Sequence, residues 1–368
     1  MIGQNAYNFS LEFTVLIRCM TFNHSKYIEN ALNSFVIQET SFPFVCLVVD
    51  DYSTDGEQDV IKAFLNRECE MEKAEYYDND NTEIIVVPHQ KNVNCTFAVY
   101  FLKENHYSKR KRKFAYVDPW HEKCKYEALC EGDDYWIDPL KLQKQVEFME
   151  SHPDCTMTCS RAKLYSEKQQ KYIGESFCYK KDCDVKVKDV IYRQGLFIST
   201  PSIVYRIDIK KNYPVYCYKC AVGDYPLQIY AAMQGKVRYF NDAMVVYRTE
   251  NSHSWMGKQG WHSASDSRLA IMRSTVDMLN GFANDYPQYK ILFENKIADY
   301  INRGIPYKTT SKEGMKKYFS FFSNEINKYK LLWKIDKAIR LFITKSTGFR
   351  LFYQKHIMSK YNPHTMSY

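Results

Sequence analysis

Three short runs, Phe13–Ile17, Val45–Val49 and Ile84–Val87, carry no charged side chain, and segments with helical spacing separate them. A strand apolar on both faces must be covered on both faces. Such strands alternating with amphipathic helices therefore predict a parallel sheet clothed in helices, the start of a doubly wound α/β fold. Tyr27, Ile28, Ala31, Leu32 and Phe35 share one helical face after the first run, with Ser25 placed to cap it; Val60, Ile61, Phe64 and Leu65 do the same after the second.

The pattern lapses over residues 66–82 and 103–125, which are polar enough to read as surface insertions. A helix is expected from Asp138-Pro139 with Leu142, Val146 and Met149 inward. Strands are expected near Cys155–Cys159, Ser202–Tyr205, Val237–Phe240 and Ala243–Tyr247, making the second half mixed rather than strictly βαβ. From about Ser263 the spacing turns helical, with Leu269, Met272, Val276 and Leu279 on one long helix and Tyr289 to Ile301 on another. The organisation expected is one α/β domain over 1–262 and a helical region over 263–368.

In an open α/β sheet, ligands bind beyond the carboxyl ends of the strands. Here three polar clusters follow apolar runs: Met20-Thr21-Phe22-Asn23-His24, Asp50-Asp51-Tyr52-Ser53-Thr54-Asp55-Gly56 and Glu131-Gly132-Asp133-Asp134. Three carboxylates within four positions at a strand end favour a divalent cation, because Mg²⁺ and Mn²⁺ take hard oxygen ligands and share them with substrate phosphates. Taken alone, the same residues also suit a solvated acidic turn with Asp138 capping the next helix.

Charge and composition narrow the class. The net charge of +8 is concentrated in the Lys109–Lys113 run and after about Lys308, which favours phosphates or an anionic membrane surface. No aromatic platform or binding motif accompanies the basic run, so a nucleic-acid partner is not expected. No apolar stretch approaches the ~18 residues of a membrane span, and no secretory leader is evident. With twelve scattered cysteines, this predicts a cytoplasmic chain with reduced thiols. Cys217 and Cys220 have CxxC spacing, and Cys178 and Cys183 are candidate partners, but their spacing is irregular for zinc. The tail after Pro306 alternates basic and aromatic residues; such a tail can lie on an anionic bilayer or cover the protein's own core.

The segments TFNHSKYIENALNS, VVDDYSTDG and CEGDDYWIDPLKLQKQ, in that order, resemble glycosyltransferase family 2, over roughly residues 13–260. The resemblance implies a GT-A type fold, a Rossmann-like doubly wound mixed sheet, here with a helical C-terminal extension. It implies a metal-dependent inverting transferase that moves a sugar from a nucleoside diphosphate, UDP first among them, to a saccharide or lipid-linked acceptor, as in bacterial surface-polysaccharide synthesis. Asp50 and Asp51 match the pair that contacts the nucleotide base, and Phe22 the group that packs on it. Asp133 matches the metal carboxylate for Mn²⁺ or Mg²⁺; Glu131 replaces the more frequent Asp as its partner, and Asp134 orients waters or sugar hydroxyls. Asp224 is the candidate base, although Asp before Tyr-Pro is also a good helix cap. His253 is a candidate metal ligand, and Trp255 and Trp261 a candidate sugar lid. The acceptor class and the basic tail together imply peripheral contact with the inner membrane. The rival expectation is a non-catalytic binding module that keeps the fold; the retained acidic cluster argues against it, since idle buried charge is costly.

Overall fold

The computed structural model describes residues 12–109, 111, 116–193, 197–250, 265–303 and 312–329. Two compact units emerge: the first draws on Met1–Val185, Ile198–Lys211 and Gln234–Ser254, the second on Lys186–Phe197, Asn212–Met233 and Trp255–Tyr368. This division is discontinuous in sequence.

The first unit contains every strand of a twelve-stranded mixed sheet. In chain order its elements are β1 (Val15–Thr21), α1 (Ile28–Val36), β2 (Phe44–Asp50), α2 (Glu57–Glu68), β3 (Glu75–Asp78), β4 (Thr82–Pro88), β5 (Cys95–Leu102), α3 (Asp118–His121), β6 (Tyr126–Leu129), β7 (Tyr135–Trp136) and α4 (Lys141–Ser151). They continue with β8 (Cys155–Ser166), β9 (Lys171–Ser176), β10 (Cys183–Asp184), β11 (Val204–Arg206) and β12 (Lys236–Thr249). The order across the sheet is β10-β12-β8-β11-β6-β1-β2-β5-β4-β3, with β7 on β12 and β9 on β8. At its centre β6, β1, β2 and β5 run parallel.

Strand alternation sorts the core into two faces. Val15, Ile17, Cys19, Cys46 and Val48 pack with the apolar sides of α1, α2 and α4, including Ile28, Leu32, Phe35, Phe64 and Leu142. Leu16, Val45, Leu47 and Val49 face the other way, onto Val117 and Trp120 at α3. Helices therefore cover both faces, as the apolar strands require.

Several local expectations need correction. The run Ile84–Val87 is a strand, but antiparallel, because only residues 89–94 separate β4 from β5 and a parallel crossover needs about a dozen or more. The third parallel neighbour in that half is instead β5, wholly buried and overlooked in the sequence. The stretch 103–125 is not merely a surface insertion: Trp120 is buried and its indole N–H donates to the Tyr100 hydroxyl at 3.0 Å. The two strands expected over 237–247 are one, β12, with register shifts around Phe240–Val245 that absorb Asn241 and Asp242 as a bulge. Ser25 does not cap α1; its amide donates to Asp55 Oδ2 at 3.0 Å, and the cap position is Tyr27. Asp138 does initiate the turn before α4, accepting from the Leu140 amide at 2.9 Å, but the helix itself begins at Lys141.

The second unit is helical: α5 (Val187–Tyr192), α6 (Val215–Lys219), α7 (Asp224–Gln234), α8 (Asp266–Asp285), α9 (Lys290–Arg303), α10 (Lys312–Phe321) and α11 (Ser323–Lys328). Leu269, Met272, Val276 and Leu279 are buried along α8, as their spacing predicts, and Ser265 caps that helix. Gly281 lets the Tyr216 ring lie against α8; a β-carbon there would sit 2.5 Å from the ring. Among the described residues no helix is long and apolar enough to cross a membrane. The tail beyond Tyr329 lies outside the described residues.

One buried ion pair ties the sheet centre together. Glu127, on β6 between β1 and β11, accepts from Arg18 Nε at 2.5 Å and from the Tyr205 hydroxyl, and contacts His121 Nε2 at 2.6 Å. Burial pushes its carboxyl upward, but the Arg18 charge and the His121 contact outweigh this and hold it well below the usual range. Removing one member of such a pair strands the other charge in the interior. Glu127→Ala is expected to lower the unfolding free energy by about 3–5 kcal/mol in urea titrations; a loss below about 1 kcal/mol would show that the pair is not structural.

Candidate active site

The parallel register sets the site. Thr21 at the end of β1 pairs with Asp50 at the end of β2, and Arg18 on β1 pairs with Leu129 at the end of β6. All three polar clusters singled out in the sequence therefore emerge at one sheet edge. Past β6 the chain stays on β1: the Cys130 amide donates to the Arg18 carbonyl at 3.1 Å and the Gly132 amide to Met20 at 3.2 Å. Gly132 is obligatory here, since a β-carbon would lie 2.1 Å from Thr21 Oγ1 and 3.1 Å from His24 Nδ1.

The two aspartates ending β2 have different surroundings. Both oxygens of Asp51 are taken by amides of the loop after β5, His106 at 2.7 Å and Tyr107 at 3.1 Å. Asp50 Oδ2 accepts from the Ser53 amide at 3.1 Å and from Gln58 Nε2 at 2.5 Å, while its buried Oδ1 has no hydrogen-bond partner among the described residues. Burial pushes the Asp50 carboxyl up despite those bonds. Phe22 is half-buried beside Asn23, whose φ of 58° turns the chain sharply out of β1.

The acidic loop also divides. Glu131 and Asp133 are half-buried, whereas Asp134 is buried, with Oδ1 accepting from the Arg248 amide at 2.8 Å. Burial, reinforced by the Asp133 charge, drives the Asp134 carboxyl far above its ordinary range. Arg248, on β12, fastens the loop from below: Nη1 donates to the Asp133 carbonyl at 2.9 Å, Nε to Glu167 at 2.8 Å and Nη2 to Asn30 at 2.8 Å. Its guanidinium lies 5.0 Å from the Tyr27 ring centre and 4.8 Å from that of Tyr135.

Sequence reasoning missed Glu57. At the first position of α2 it looks like an ordinary acidic helix start, yet it is fully buried. It accepts from the Thr21 hydroxyl, from the Ser53 hydroxyl at 2.8 Å and from the His24 amide at 2.8 Å. With Thr21's one proton given to Glu57, the Thr21 oxygen accepts from His24 Nδ1 at 3.2 Å. His24 Nε2 then faces Asp133 Oδ2 at 3.8 Å. Glu57 thus joins the ends of β1 and β2 to the acidic loop.

Asp224 is half-buried at the first turn of α7 in the second unit, whereas the other candidates described so far belong to the first. His253, Trp255 and Trp261 lie outside the described residues, as do Arg110, Arg112 and Lys113 of the basic run. Among the described residues no group of three or more His, Cys, Asp or Glu side chains is arranged to hold a metal ion. What the acidic loop presents is a pair, Glu131 and Asp133, which fits the chemistry of a Mg²⁺-type cation, commonly held by one or two carboxylates with phosphates and waters completing the shell.

No family model matches the chain. It is 25% identical over 268 residues to uncharacterized proteins of Mycobacterium bovis and Mycobacterium tuberculosis, spanning 71% of this chain and 68% of theirs. Among solved structures it is similar to S. aureus TarS 1-349 in complex with UDP, at 15% identity and a TM-score of 0.45, over 88% of this chain and 91% of that one. It is also similar to the mannosyltransferase PcManGT from Pyrobaculum calidifontis in complex with GDP-Man and Mn²⁺, at 12% identity and a TM-score of 0.48, over 94% and 84% of the two chains.

Burial pushes the Glu57 carboxyl from its ordinary 4.5 up to about 7, against the hydrogen bonds it accepts. A raised carboxylate pKa gives stability that is complete below about 4.5 and is lost as the pH rises through about 7. Wild-type unfolding free energy is therefore expected to fall across that window more steeply than that of Glu57→Gln, by up to roughly 1.4 kcal/mol per pH unit. Urea titrations of both proteins from pH 5 to 8 measure this; parallel profiles would contradict it.

Proposed function

We propose that the chain is a metal-dependent, inverting glycosyltransferase acting from a nucleoside diphosphate sugar, UDP first among donors, on a hydroxyl of a saccharide or lipid-linked acceptor. The observation that carries this reading is the convergence of the β1, β2 and β6 ends at one sheet edge, with a buried Asp50 oxygen that has no hydrogen-bond partner among the described residues and a half-buried carboxylate pair on the acidic loop.

In this reading Asp50 Oδ1 accepts the imino N–H of the base and Phe22 packs on its ring. Asp51, whose oxygens are filled, holds the loop at His106 and Tyr107 beside them. Glu131 and Asp133 would hold Mn²⁺ or Mg²⁺, and His253 is a further candidate ligand. When bound, the cation supplies Lewis-acid neutralisation of the diphosphate leaving group. Asp134 braces the loop through the Arg248 amide and is the candidate to orient sugar hydroxyls. Asp224 takes the acceptor proton as the acceptor oxygen forms its bond to the anomeric carbon; the bond to the diphosphate breaks on the opposite side, its electron pair leaving with the diphosphate. One such displacement inverts the centre. The reaction suits surface-polysaccharide assembly on the cytoplasmic side, where a basic tail would meet anionic lipid.

Two variants separate these roles. Asp133→Ala is expected to abolish metal-dependent diphosphate binding in calorimetry. Asp224→Asn is expected to keep that binding and to lose sugar transfer by on the order of 10²–10⁴-fold; full turnover in this variant would remove Asp224 from the chemistry.

A further inference from the structure

Beside the acidic loop lies an open cleft of about 660 Å³. Tyr27, Tyr135 and Tyr165 line it, with Gln170, Lys26 and Lys168. Tyr135 directly follows the acidic loop, and the floor is Arg248, which bonds the Asp133 carbonyl. In the sheet order β12-β8-β11-β6-β1-β2, Asp50 at the end of β2 lies on one side of β6, and Tyr165 and Arg248, on β8 and β12, lie on the other.

The cleft's chemistry is distinctive. The Tyr165 hydroxyl donates to Gln170 Oε1 at 3.3 Å, the Tyr135 and Tyr172 hydroxyls lie 3.2 Å apart, and the Tyr165 and Tyr172 rings meet edge to face at 5.3 Å. Such tyrosines offer ring faces for the C–H side of a pyranose and hydroxyls for its oxygens. The charges are biased. Glu167 is taken by Arg248 and Glu250 by the Ser166 hydroxyl, while Lys26 and Lys168 are exposed and in no ion pair among the described residues.

We propose that this cleft binds the acceptor as an anionic saccharide, its ring on the tyrosines and its carboxylate or phosphate on Lys26 and Lys168. The proposal rests on the transferase reading above for the word acceptor, and on the cleft alone for the ligand class. A donor sugar held at the acidic loop would then meet its acceptor from the side of β8 and β12, with the nucleoside towards β2.

The test is calorimetric titration of the full chain with tetragalacturonate, with maltotetraose bearing one phosphate, and with plain maltotetraose. At least one anionic glycan is expected to bind, more weakly as salt is raised, and the neutral one to bind least; which anion binds identifies its source. The Lys26→Ala/Lys168→Ala double variant is expected to weaken that binding by roughly tenfold or more, and Tyr165→Ala to weaken binding of whichever glycan binds. Equal binding of charged and neutral glycans, no binding of either anion, or wild-type affinity in the double variant would overturn the proposal. A parallel titration with UDP and Mn²⁺ keeps the two readings apart. Diphosphate binding without glycan binding sinks the cleft alone; glycan binding without any diphosphate binding leaves the cleft standing and sinks the transferase.

Discussion

The site depends on the contact between Gly132 and Thr21. The acidic loop can lie on the end of β1 only because position 132 has no side chain; a single methyl there would overlap the Thr21 hydroxyl. That closeness brings Asp133 within reach of His24 and places Thr21 between the acidic loop and Glu57. Parallel pairing of β1 with both β2 and β6 supplies the alignment, and the Arg18–Glu127 pair anchors it from within the sheet.

Around this contact the protein gathers five carboxylates, Asp50, Glu57, Glu131, Asp133 and Asp134. Burial raises Asp50, Glu57 and Asp134, so each resists ionising in the folded chain. Any of these acids that ionise together create a demand for positive charge. Arg248 answers part of it, but from beneath the loop, between two tyrosine rings and with Glu167 as its own counterion. The half-open face of Glu131 and Asp133 is where a divalent cation would complete the balance.

Much of this was legible in the chain. Apolar runs on both faces of a strand leave little alternative to a covered sheet, and the polar clusters at their ends come together at one sheet edge. What escaped detection depended on tertiary partners. The buried strand β5 follows β4 at hairpin distance, so periodicity alone did not separate it or set the direction of β4. Glu57 carries no local mark of burial; its importance comes from Thr21, Ser53 and His24, which are distant or unremarkable in sequence. Asp50 and Asp51 are neighbours of one chemical type, told apart by Ser53 and Gln58 on the first and the loop at His106 and Tyr107 on the second. Arg248 directly follows an expected strand, yet its partners Asn30 and Glu167 lie far along the chain.

The central claim is that this sheet edge binds a nucleoside diphosphate through a divalent cation. Calorimetric titration of the wild-type chain with UDP, GDP, CDP and TDP, each with and without Mn²⁺, tests it most directly. The account predicts binding of one diphosphate, UDP first, that requires the metal. Folded protein that binds none of the four in either condition would contradict it and favour a binding module that retains the fold without the chemistry.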